Sequence, residues 1–245
     1  MKPHPSPLRR RALVLACACA ALAVACGDAG EPAPPAEAVR DTEALLPSIV
    51  LVTLDTTRAD HLGAYGYFRD TSPRFDAFAA ESILFERLVV PMATTLPSHL
   101  SILTSSHPLV HGVLANTTQG GARFVPAPGL TSFAIAARDA GLATGAFVSA
   151  APLKRGSGIE VGFDAFDQPE GKSRRGAETA DAAIAWLGGL DPARPYFLWV
   201  HFYDAHYPFE PPPEFAARFS TDEALERFIA ERRIHPTTER PLVGT

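Results

Sequence analysis

The chain has 245 residues, 47% of them apolar and 20% charged, which suits one sizeable globular domain and excludes a collagenous or wholly disordered polymer. Its formal net charge is −5, and Lys2, Arg9, Arg10 and Arg11 stand in an N-terminal stretch without acids. The body is therefore more acidic still, which argues against an electrostatic nucleic-acid binder. All three cysteines, Cys17, Cys19 and Cys26, fall in that same stretch, so a metal in the body must be held by oxygen and nitrogen.

Arg9-Arg10-Arg11 followed by the apolar run Ala12 to Ala25 has the charged-then-apolar layout of a bacterial export signal, and the run is too short to span a bilayer. It stops at small residues before Cys26, which resembles the site where a lipoprotein is cut and its new N-terminal cysteine acylated. The expectation is a signal over residues 1–26 and a membrane attachment through a lipid on Cys26, placing the body in the cell envelope of a bacterium. Residues 27–46 combine proline, alanine and acids without an apolar face, the composition of a semi-rigid tether.

Ser48 to Leu54 is a continuous β-branched apolar run ending at Asp55, which predicts a strand buried on both faces. Thr71-Ser72-Pro73 opens a helix to about Ser82, with Ser72 as cap and Pro73 in its first turn. Pro97 is preset for another first turn that continues through Thr104, placing Thr95 at a helix N-terminus. Thr131 to Ala140 closed by Gly141, and Ala177 to Leu187 closed by Gly188, read as helices. Each precedes a strand, Ala143 to Ser149 and Tyr196 to Phe202. Strands alternating with helices predict an α/β fold, a mostly parallel sheet flanked by helices, with ligands beyond the carboxyl ends of its strands. The tail after Glu214 reads as charged helix and stops at Thr245, so a domain truncated at its C-terminus is expected.

The strand ends carry the chemistry. Asp55-Thr56-Thr57-Arg58 sets a carboxylate, hydroxyls and a guanidinium at one mouth, suited to a hard cation and an anionic oxygen; the competing reading is a surface turn with Arg58 paired to Asp60. Backbone N–H groups near Thr95 would attract an anion and activate its hydroxyl, unless Thr94 or Thr95 is only an N-cap. His99 lies one turn on. His206 and His201 flank Asp204; His206 suits a general acid or oxyanion contact, whereas His201 inside an aromatic strand reads as core. Lys154 and Arg155 read as a solvated basic turn. His111 before Gly112 reads as structural, and the aromatic run FLWVHFY as core packing.

Five stretches in order, IVLVTLDTTRADHLGAYGY, TTLPSHLSILTS, HPLVHGV, GFDAFD and WVHFYDAHYPFEPP, span roughly residues 48–213. Together they resemble the N-terminal half of the sulfatase family within the alkaline phosphatase superfamily, and the resemblance makes residues 47–245 the N-terminal portion of a sulfatase-like catalytic domain. It implies Asp55 as a metal ligand, with Thr56 and Thr95 beside it, and Thr95 at the nucleophile position. One divalent cation is implied, calcium by resemblance; oxygen ligation also admits magnesium, and further histidines would favour zinc or manganese.

Sulfatases use Cys or Ser in Cys/Ser-x-Pro-x-Arg, converted to formylglycine. This chain has Thr95-Leu96-Pro97-Ser98-His99, whose methyl-bearing β-carbon implies an unmodified hydroxyl and no formylglycine. Superfamily branches acting on phosphate esters use Ser or Thr directly. The family's second Asp is Thr56 here, and its Gly-Lys-Trp-His segment reads Ala146-Phe147-Val148-Ser149. The expected function is cleavage of sulfate or phosphate esters, with Thr95, His99, His206 and Arg58 as candidate catalytic residues and an anionic glycan, aryl ester or lipid as substrate. The rivals are a phosphoethanolamine-type transferase and a binding module without activity.

Overall fold

The computed structural model describes residues 46–117, 120–121 and 127–219. The expected export signal, Cys26 and almost all of the tether lie outside the described residues, as does most of the charged tail. Four strands, β1 (Ile49–Leu54), β2 (Ala143–Val148), β3 (Ala165–Asp167) and β4 (Tyr196–Phe202), form one sheet in the order β1-β4-β2-β3. Every pairing is parallel. Among the described residues six α-helices accompany them: α1 (Pro73–Ala80), α2 (Thr95–Thr104), α3 (Pro108–His111), α4 (Phe133–Asp139), α5 (Gly176–Gly188) and α6 (Pro213–Phe219). The α/β architecture expected from the alternating pattern is thus present, with the additional short strand β3 on the edge beside β2.

Alternation along β4 divides the core. Phe197 and Trp199 face one side, where they join Leu96, Leu100 and Leu103 of α2 and Ala134 and Ala137 of α4. Leu198 and Val200 face the other, with Phe147 of β2 and Ala183 of α5. Truncating a fully buried aromatic such as Trp199 costs about 3–5 kcal/mol in typical cores, so β4 is the structural centre. Its aromatic run packs the core as its alternation predicts.

The strand expected to be buried on both faces is not. β1 pairs only with β4 among the described residues, and Val50 and Val52 remain 52% and 51% exposed. Helix α5 packs on β2 and β4. A continuous apolar run signals a strand without revealing whether it lies at an edge. The irregular segment 83–90 is likewise apolar and open, with Ile83 86% and Val89 87% exposed.

Local signals mostly set the helix ends. Ser132 caps α4 by accepting the Ile135 N–H at 3.2 Å. Ser72 occupies the N-cap position of α1 but gives no side-chain cap; its hydroxyl donates to Asp76 and accepts from the Gly63 N–H. Helix α5 starts at Gly176, where a side chain would not fit: an added Cβ would stand 2.5 Å from Asp204 Oδ2. Among the described residues no helix is long and apolar enough to cross a membrane.

Candidate active site

Because the sheet is parallel, the ends of β1, β2 and β4 open on one rim. Asp55 follows β1, Ser149 follows β2 and the 203–206 turn follows β4. A cleft of about 640 Å³ at this rim is lined by Asp55, Thr56 and Arg58, by Thr95 and His99 of α2, and by Asn116 and His206. All six site residues proposed from the sequence, Asp55, Thr56, Arg58, Thr95, His99 and His206, therefore line one cleft. Two of them differ in detail from the expectation.

Arg58 is one. Its Nε and Nη2 donate to Asp60 at 2.9 and 2.6 Å, and the side chain is 69% exposed. The competing reading of this turn describes that geometry, and the guanidinium would have to leave Asp60 to grip an anion. The helix N-terminus is the other. Thr94 is the N-cap without a side-chain cap bond, and Thr95 is the first helical residue. Pro97 has no N–H, the Ser98 N–H is taken by Thr94 O at 3.1 Å and the Leu96 N–H by Asn116 Oδ1 at 2.8 Å. The expected set of backbone donors is reduced to the N–H of Thr95.

Asn116 restores what is lost, and sequence reasoning missed it. With its Oδ1 occupied by Leu96, its NH₂ group supplies the donors it brings to the cleft. No local pattern marks it, since the contact spans 20 residues.

Asp55 is buried, and His201 is fully buried behind it, with His201 Nε2 3.2 Å from Asp55 Oδ2. The Ser149 N–H donates to His201 Nδ1 at 3.4 Å, so the ring proton sits on Nε2 and points at the carboxylate. Burial pushes the Asp55 carboxyl up, but the hydrogen bond from His201, helped by the neighbouring His99 and the Thr95 hydroxyl, outweighs it and holds the group below its ordinary 3.8. The core placement of His201 was legible in the sequence; its contact with Asp55 was not.

His99 donates from Nδ1 to Thr95 O at 2.8 Å and packs edge-on against His201, ring centres 4.8 Å apart. Burial, with the neighbouring His201 adding to it, lowers its pKa to about 4. The ring is neutral and its Nε2 is a bare lone pair. His206 donates from Nδ1 to Tyr207 O at 2.6 Å and stacks on Tyr203 at 4.2 Å, which leaves Nε2 for a partner in the cleft. Asp204 is spent elsewhere: its Oδ1 accepts the Gly176 N–H at 3.0 Å at the start of α5, a favourable place for a negative charge.

The remaining sequence candidates lie apart from the cleft. Lys154 Nζ donates to Glu170 O at 2.7 Å, and Arg155 lies over the Phe166 ring at 5.1 Å, so neither replaces the missing Lys and His of the family segment. His111 is structural as expected, its Nδ1 accepting the Val113 N–H at 3.2 Å and its Nε2 lying 3.1 Å from Ser101 Oγ.

Among the described residues no group of three or more His, Cys, Asp or Glu side chains is arranged to hold a metal ion. The donors at the cleft, the Asp55 carboxylate with the Thr56 and Thr95 hydroxyls, are hard oxygens of the kind calcium and magnesium prefer. They fit part of such a shell. Thr56 also carries φ 54, a left-handed conformation that is rare for a β-branched residue and that recurs at functional sites.

A carboxylate, a helix-start hydroxyl and histidines thus meet on one rim of a parallel α/β sheet. The sulfatase family pattern matches residues 47–231, and the chain belongs to the sulfatase family. It is 34% identical over 79 residues to human arylsulfatase A and 34% identical over 77 residues to a bis(5'-adenosyl)-triphosphatase of Pongo abelii. Each match takes in 31% of this chain and 16% of the relative. The crystal structure of a phosphonate monoester hydrolase of Agrobacterium radiobacter superposes with a TM-score of 0.59 at 24% identity, over 70% of this chain and 44% of that one. The chain thus spans less than half the length of this solved relative.

Proposed function

We propose that this protein is an exported hydrolase of anionic esters in which Thr95, unmodified, is the nucleophile. The observation that carries the reading is the convergence of Asp55, Thr95, Asn116 and His206 on one cleft. A phosphate ester is favoured over a sulfate ester because the hydroxyl of Thr95 stands where sulfatases carry formylglycine, and a triphosphatase and a phosphonate hydrolase are among the similar proteins.

In this mechanism Asp55 and Thr95 would hold a hard divalent cation, which supplies charge to polarise the ester oxygen and the attacking hydroxyl. Thr95 Oγ1 attacks the phosphorus or sulfur, its proton leaving toward Asp55 as the new ester bond forms. The Asn116 NH₂ and the Thr95 N–H bind the non-bridging oxygens as negative charge grows on them. His206, protonated at Nε2 and steadied through its Nδ1–H on Tyr207 O, gives that proton to the departing oxygen. Water then attacks the threonyl ester: its oxygen joins the phosphorus or sulfur, one of its protons goes to His206 Nε2, and Asp55 gives its proton back to Thr95 Oγ1 as the bond to that oxygen breaks. His99 keeps Thr95 in place through the Thr95 carbonyl.

The test is hydrolysis of matched aryl phosphate, aryl phosphodiester and aryl sulfate across divalent cations. Thr95→Ala is expected to remove turnover by on the order of 10³-fold or more, and activity within a few-fold of wild type would sink the assignment. A second reading, an anion-binding module without turnover, is favoured by the single carboxylate at the cleft; inorganic phosphate binding without hydrolysis of any ester would establish it. The attachment through Cys26 is part of the proposal on sequence grounds, and Cys26→Ser should release the protein from the membrane fraction.

A further inference from the structure

Behind the cleft runs a line of buried polar groups that the proposed chemistry does not use. Arg174 Nη2 is ion-paired with Asp167 Oδ1 of β3, and the Arg174 side chain is only 15% exposed. Its Nε donates to Thr179 Oγ1 on α5 at 2.8 Å. Thr179 Oγ1 lies 2.6 Å from Ser149 Oγ, and Ser149 Oγ donates to His201 O at 2.7 Å. Ser149, Thr179 and His201 are all fully buried.

The direction of the protons in this line is set at its two ends, by the guanidinium, which can only donate, and by the His201 carbonyl, which can only accept. A guanidinium has donors and no acceptor, so the Thr179 oxygen receives from Arg174, and its own proton has two acceptors in reach, Ser149 Oγ at 2.6 Å and Arg175 O at 3.4 Å. Ser149 has one hydroxyl proton, and the His201 carbonyl takes it. The short Thr179–Ser149 contact is therefore a bond from Thr179 to Ser149. The protons run one way, from Arg174 to Thr179 to Ser149 to the His201 backbone. The main chain reinforces the line, because the Arg174 N–H donates to Ser149 O at 3.1 Å and Ser173 bridges Ala150.

Ser149 holds His201 at two points. Its hydroxyl binds the His201 carbonyl, and its N–H meets His201 Nδ1, which keeps the ring proton on Nε2 facing Asp55. We propose that Arg174 is a positioning residue for Asp55: held by Asp167, it polarises and orients Thr179 and Ser149, and through them fixes the tautomer and pose of His201. The link is a property of the fold, while its meaning for catalysis rests on Asp55 serving the anion site proposed above. Without the Arg174 donor, Asp167 loses its ion-pair partner and the Thr179 hydroxyl is free to turn toward Arg175 O, which takes its proton away from Ser149 and loosens the hold on His201.

The experiment is nitrogen-15 NMR of the 245-residue chain labelled at histidine, with His201 assigned by loss of its signals in His201→Gln. In the wild type the two ring nitrogens of His201 are expected far apart, Nδ1 bare and Nε2 protonated. A wild-type ring protonated on Nδ1 would overturn the proposal without any variant. In Arg174→Met the gap is expected to shrink as the second tautomer becomes populated, with Arg174→Lys restoring part of it. Asp167→Asn, which leaves every buried hydroxyl in place, should move the signals the same way by less, and it serves if Arg174→Met does not fold. Unmoved His201 signals in a folded variant, with only a lower melting temperature, would reduce Arg174 to a structural role. An unreactive wild type that shows the expected spectrum would sink the hydrolase reading and leave the positioning link standing.

Discussion

The two acids of the first loop, Asp55 and Asp60, form ion pairs that behave as opposites. Asp60 meets Arg58 in a fork with contacts down to 2.6 Å, exposed on both sides. Asp55 meets His201 at the longer distance of 3.2 Å, with both groups buried. Distance alone would rank the outer pair first. Yet water screens the outer pair and competes for both partners, whereas the inner pair has no alternative partner of equal quality, so removing one member strands the other. The pair with the poorer geometry is the one the fold depends on.

The largest expected effect follows from that contrast. His201→Leu keeps much of the volume but removes the buried imidazole donor from the Asp55 carboxylate, and should cost about 3 kcal/mol in urea unfolding; a loss no larger than that of an exposed-site variant would erase the distinction. His111 extends the comparison to a second buried imidazole. Burial lowers its pKa below 6.5, and its Nδ1 is already an acceptor for the Val113 N–H. Its contribution is therefore full above about pH 6.5 and is lost as pH falls through the lower folded value. His111→Asn should cost about 1–2 kcal/mol at neutral pH and flatten the acid dependence of stability, which unfolding measured at a series of pH values will show.

Thr56 lies between the two pairs. Asparagine tolerates the left-handed region better than threonine, so Thr56→Asn should stabilise by about 1 kcal/mol and raise the melting temperature by a few degrees. A fall would mean that the Thr56 hydroxyl makes contacts that outweigh the strain. Arg58→Ala is the smallest effect: no change in the urea midpoint beyond error, and any clear drop would show that the outer pair is not screened.

What the sequence made legible divides along the same line. The bounds of β4 follow from Tyr196 to Phe202 being one unbroken apolar run, and Pro97 announced the first turn of α2. Asp55, Thr95 and His206 stand at strand or helix ends, where a parallel sheet gathers side chains whatever their identity. Contacts between distant segments left no mark. Asp55 and His201 are 146 residues apart and Ser149 and Thr179 are 30 apart, and nothing in a local window distinguishes a histidine packed for its ring from one that also directs a proton. β1 was misjudged for the same reason, since exposure of an apolar strand is decided by what lies beside it.

That strand has a consequence for the protein as a material. Along one side of β1 the amide and carbonyl row has no partner among the described residues, and Val50, Val52, Ile83 and Val89 present oil to water nearby. A surface of this kind is a template, able to order another extended chain laid against it.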